Sequence, residues 1–65
     1  MLKLGDVVKL KVACLGNDRG ALGIVFTEYN YDTFSGVQVI FENGEYDGFD
    51  AINEQEIFLE FVSLS

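Results

Sequence analysis

Two short segments interleave aromatic rings with carboxylates. TEYNYDTF (residues 27–34) and GEYDGF (residues 44–49) set Tyr29, Tyr31, Phe34, Tyr46 and Phe49 among Glu28, Asp32, Glu45, Asp47 and Asp50. The chemistry open to such a set is recognition of cations. The electron-rich face of an aromatic ring attracts Arg, Lys or methylated lysine by about 0.5–2 kcal/mol per contact, and nearby carboxylates favour the same charge. Tyr29, Tyr31, Asp32, Phe34, Glu45, Tyr46 and Asp47 therefore form the candidate partner-binding set, while Phe49 reads as core.

Little else could do chemistry. Histidine is absent, so the usual base that activates a nucleophile is missing, and Cys14, the only cysteine, reads as a small buried hydrophobe in a strand-like run. No Cys/His set could hold zinc, and EYDGFD is too sparse for a calcium loop, with Asp47 and Asp50 forming at most a weak cation site. The carboxylates read as solvated faces of strands and turns, not as an acid–base couple in a cleft. The expectation is a non-enzymatic chain with no cofactor and no metal. GNDRGALGIVFTEY (residues 16–29) has glycines at 16, 20 and 23, but a phosphate cradle needs a helix after it, and IVFTEY is strand-like.

The elements that must position these residues follow from period-2 alternation. DVVKLKVA puts Val8, Leu10 and Val12 on one face. ALGIVFTEYN is rich in β-branched and aromatic residues. GVQVIFE puts Val37, Val39 and Phe41 inward and leads into Asn43-Gly44, the pair favoured in a type I′ hairpin turn. EYDGF returns as a fourth strand. Asn53 and Glu56 resemble an N-cap and its reciprocal acid, but too few residues follow for more than a single 3₁₀ turn before IFLEFV, the fifth strand. The reading is an all-β, five-stranded SH3-like barrel with a 3₁₀ turn before the last strand, one domain over residues 1–65. Its expected core is Val8, Leu10, Val12, Val25, Val37, Val39, Phe41, Phe49, Ile57 and Leu59.

Two resemblances support this architecture. VKLKVACLGNDRGALGIVFTEY resembles the KOW motif, the first hairpin of SH3-like barrels in transcription factors and ribosomal proteins, through the strand ending near Val12, the GNDRG loop, Gly23 and Val25. The order GDVVKLKV, LGIVFTEY, GVQVIFENGEYDGF and INEQEI is similar to the barrel of the E-type accessory protein of photosystem I, with Tyr46 and Gly48 at its tyrosine-glycine segment. The first implies nucleic-acid or ribosome association and the second a role in docking an electron carrier.

Charge decides between these expectations. The net charge is −7. Lys3, Lys9, Lys11 and Arg19 all precede Gly20, whereas Glu28, Asp32, Glu42, Glu45, Asp47, Asp50, Glu54, Glu56 and Glu60 follow it with no base among them. Such a surface repels phosphate backbones and acidic carriers and attracts cationic partners. The expected function is a protein-interaction module that binds a basic protein segment. The alternatives are a KOW-type nucleic-acid or ribosome-associated factor using Lys9, Lys11 and Arg19, or a small acidic inhibitor that mimics nucleic-acid charge. No run is long and apolar enough for a membrane span or a signal peptide, and the expected location is cytoplasmic.

Overall fold

The alternating segments pair into a single sheet in the computed structural model, which describes residues 2–62. The strands are β1 (Val7–Leu10), β2 (Leu22–Asn30), β3 (Ser35–Phe41), β4 (Tyr46–Asp50) and β5 (Leu59–Val62), with one helical turn, α1 (Gln55–Phe58), before β5. Every pairing is antiparallel and the order across the sheet is β4-β3-β2-β1-β5. The sheet curls into a half-barrel compatible with an SH3-like fold.

Curling brings the inward positions of every strand together. Val8, Leu10, Val25, Val37, Val39, Phe41, Phe49 and Leu59 are buried and form one cluster. Gly23 lets β2 lie against Phe41 and Val39, because a Cβ there would overlap both side chains. A shift in the β2–β3 register between Val25 and Thr27 marks a bulge at Phe26 and lets the strand bend.

The expected core loses two members. Val12 is exposed, because β1 ends at Leu10 and the chain bends away at residues 11 and 12. Ile57 is 60% exposed, because it falls on the outer side of α1 and leaves the inward position to Leu59.

The turns also differ in detail from their sequence signals. At the β3–β4 hairpin only Gly44 has positive φ, and the bonds from Gly44 N–H to the Phe41 carbonyl and from Phe41 N–H to the Glu45 carbonyl define a three-residue loop. That is the turn-plus-bulge hairpin, not type I′. A consecutive positive-φ pair occurs instead at Leu15-Gly16, inside a tight turn closed by reciprocal Cys14–Asn17 backbone bonds. Asn43 and Asn17 hold it: the Asn43 amide donates to the Leu15 carbonyl at 2.9 Å and the Asn17 amide to Asn43 Oδ1 at 2.9 Å. GNDRG is thus part of a latched turn.

The turn before β5 is α-helical, with Phe58 N–H bonded to the Glu54 carbonyl, and Asn53 does not cap it. No side chain caps it, and Asp50 instead closes the turn that precedes it. Its carboxylate accepts from the N–H groups of Ile52 and Asn53, and the Glu54 carboxylate reaches back to Asp50 N–H at 3.0 Å. This is capping-box logic displaced toward the end of β4.

Candidate functional site

Tyr29 lies near the end of β2, and its ring is placed by missing side chains. It sits opposite Gly36 on β3, where a Cβ would overlap both its hydroxyl and the Phe49 carbonyl oxygen, and its ring edge passes over Gly48 on β4. The glycines let an aromatic ring lie flat across the outer face of three strands.

The chain then turns through residues 31–34, closed by Tyr31 N–H on the Phe34 carbonyl at 2.8 Å. This tight return stacks Tyr31 and Phe34 with centroids 4.9 Å apart, and both rings lie about 6 Å from Tyr29, at 6.1 and 5.9 Å. The outer two are open to solvent, Tyr31 at 62% and Phe34 at 49%. With Thr27, Glu28, Gln38 and Gly48 the three rings line a shallow hollow of about 420 Å³.

Carboxylates lie in and beside the hollow, with Glu28 in its lining. The Tyr29 phenol is pushed above its ordinary value, first by desolvation and then by the charges of Asp50, Glu54 and Asp47. Asp50 and Glu54 belong to the hydrogen-bonded turn at the end of β4, so the device that leads from β4 toward α1 also places charge beside the rings. Asp32 is exposed at the tip of the turn between Tyr31 and Phe34.

The other expected residues stand elsewhere. Tyr46 pairs with Ile40, four residues along β3 from Gly36, about 13 Å away at strand spacing. There it meets Phe26 edge-on, with centroids 5.7 Å apart, forming a second aromatic group on the same outer face. Glu45 is part of the adjacent hairpin. Asp47 pairs with buried Val39 and so points to the other face of β4, toward Cys14, whose thiol is pushed up by burial and then by the Asp47 charge. One expected rim therefore resolves into a Tyr29–Tyr31–Phe34 group and a Phe26–Tyr46 group. Asp50 was named among the interleaved acids but left out of the candidate set, and Glu54 and Phe26 were missed by sequence reasoning. The signal for Phe26 was displaced by the bulge, and that for Glu54 by the unexpected position of the turn at the end of β4.

Among the described residues no group of three Cys, Asp or Glu side chains is placed to hold a metal ion, and no helix is long and apolar enough to cross a membrane. No protein-family model matches the chain, and no curated protein or solved structure is significantly similar to it.

Proposed function

We propose that the chain is a non-catalytic protein-interaction module that takes a basic segment of a partner protein on the platform of Tyr29, Tyr31 and Phe34. The observation that carries this reading is the pairing of three mutually packed rings, two of them open to solvent, with Glu28 in the hollow they line. No cation of the chain follows Arg19 in sequence, so the rings and acids have no basic neighbour on their own strands. A Lys, Arg or methylated-lysine side chain supplies the missing charge. The rings provide most of the affinity and the acids raise the association rate.

Nucleic-acid contact through Lys9, Lys11 and Arg19 has less support, because the chain's other charges oppose it: nine acids follow Arg19 with no base among them. Lys9 pairs across the sheet with Glu60, the Lys11 ammonium donates to the Glu56 carbonyl, and Arg19 belongs to the β1–β2 connection.

The test is a titration of Arg/Lys-rich and trimethyllysine peptides against the chain at two ionic strengths. Tyr31→Ala and Phe34→Ala should each weaken binding by about 2- to 30-fold at both salts, the range of one cation–ring contact. Asp32→Asn with Asp50→Asn should flatten the salt dependence instead. The reading is falsified if the ring variants bind like the parent, or if nucleic acid binds tighter than about 10 μM near physiological salt, within the range of proteins that rely on phosphate contacts.

A further inference from the structure

β5 ends the sheet on the side opposite β4, and its hydrogen-bonding groups can be assigned from the ladder. Lys11 N–H donates to the Phe58 carbonyl, and the β1–β5 register runs Leu10↔Leu59, Lys9↔Glu60, Val8↔Phe61 and Val7↔Val62. Antiparallel ladders bond at alternate pairs, so Glu60 and Val62 face β1 while the backbone groups of Leu59 and Phe61 face away from it. Leu10 N–H agrees with this phase, since it bonds to Ala21 on the β2 side. Leu59 N–H is taken by the Gln55 carbonyl. Among the described residues nothing bonds to the Leu59 carbonyl or to either backbone group of Phe61.

A hollow lies beside this row. Leu2, Ala51, Gln55, Glu56, Leu59 and Phe61 line this open depression of about 390 Å³. Phe61 has the same inward parity as buried Leu59 yet is 55% exposed, because the half-barrel is open at this flank.

We infer that β5 is a strand-addition site for an extended segment of a partner protein in which apolar residues alternate with Lys or Arg. The free row, acceptor–donor–acceptor from Leu59 to Phe61, matches an extended backbone, and the hollow receives one apolar side chain of the added strand. Glu60, of opposite parity to Leu59 and Phe61, lies on the face taken by the alternate positions of the added strand and selects cations there. A second copy of the chain fits poorly, because each copy brings a net charge of −7. This site shares no residue with the Tyr29–Tyr31–Phe34 platform and does not depend on it.

The experiment follows backbone amide exchange by NMR on the 65-residue chain with a peptide of alternating valine and lysine. At peptide concentrations up to about 1 mM, Phe61 amide exchange should slow by about tenfold, while the Tyr46 amide on the β4 edge stays as it was. N-methylating the peptide's central residues should abolish the protection by removing its donors, and Phe61→Ala should weaken binding by about tenfold through loss of the hollow's wall. Tyr31→Ala should leave all of this unchanged, which separates the two sites. Unaltered Phe61 exchange, equal binding of the N-methylated peptide, or protection centred on Tyr46 overturns the inference. So does Phe61 protection that rises with protein concentration in the absence of peptide, which would identify a second copy as the occupant.

Discussion

β4 and β5 are both edge strands, and they treat their open sides in opposite ways. On β4 the outward N–H groups are those of Tyr46, Gly48 and Asp50, by the same alternation that governs β5. Gly48 N–H donates to the Asp47 carboxylate at 2.8 Å and Asp50 N–H to the Glu54 carboxylate at 3.0 Å, while the Asp50 carbonyl accepts from Glu54 N–H. Two acids thus occupy two of the three donors that another strand would use, leaving Tyr46 N–H at the hairpin end. β5 has no such cover among the described residues, and its inward Phe61 is half in solvent. Exposed edges are templates for unwanted pairing, and side-chain charge is one way of closing them. What singles out β5 is that no side chain covers its outward groups among the described residues, whereas acids cover two of the three outward donors of β4.

The largest expected effect separates the two halves of the sheet. Val39, fully buried between β2 and β4, should lose about 2–5 kcal/mol on substitution by Ala, enough to threaten the whole stability of so small a domain. Phe61→Ala on the open flank should cost about 1 kcal/mol or less, since much of its ring is already in water. Urea unfolding of both variants checks this. Equal losses would mean that Phe61 belongs to the core and that the flank is closed in solution.

The next effect opens the closed edge. Asp47→Ala combined with Glu54→Ala removes both acceptors, at a cost of about 0.5–1.5 kcal/mol for each bond. Exchange of the Gly48 and Asp50 amides should quicken, that of Phe61 should not, and the variant should self-associate more than the parent. If β4 remains monomeric and equally protected, the carboxylates are incidental to the edge.

Much of the sheet was legible because strands with one buried face write their register as alternation. Val8 and Leu10, then Val37, Val39 and Phe41, announce β1 and β3 directly. Val12 carried the same signal and is exposed, because alternation says which face a residue takes and not where the strand stops. The site was legible in part. Tyr29, Tyr31 and Phe34 are close in sequence and a tight turn had to gather them. Tyr46 was a long-range matter: its distance from Tyr31 depends on the β3–β4 register and on the bulge at Phe26, neither of which sequence spacing records. Edge status was hidden for the same reason, since it is a property of strand order.

A smaller effect ties the edge to the aromatic platform. Asp50 and Glu54 contribute to raising the Tyr29 phenol, after desolvation. A phenol whose folded value lies above its unfolded one holds its proton more tightly in the native state, so its contribution is fully present below about pH 10 and is lost as pH rises through the folded value. Unfolding measured from about pH 8 upward should show stability falling in the alkaline range, and Tyr29→Phe should remove part of that fall. An unchanged alkaline profile in Tyr29→Phe would mean that the hydroxyl is not held between those charges.

The smallest effect distinguishes the two carboxylates that close β4. Asp47 faces the inner side of its strand, toward Cys14, whereas Glu54 closes the end of β4 beside Tyr29. Burial is the main cause of the raised Cys14 thiol and Asp47 is the second. Thiolate is the reactive form, so at neutral pH Cys14 should alkylate slowly, and faster as pH rises. Removing the Asp47 charge leaves the burial in place and lowers the thiol only part of the way. Asp47→Ala should therefore speed alkylation by no more than about threefold, and Glu54→Ala should leave the rate unchanged. Equal acceleration in both variants would point to opening of the strand, since loss of either edge bond could expose the thiol. Acceleration in Asp47→Ala alone, without faster Val39 amide exchange, would be the electrostatic effect and would place Asp47 on the Cys14 side of β4.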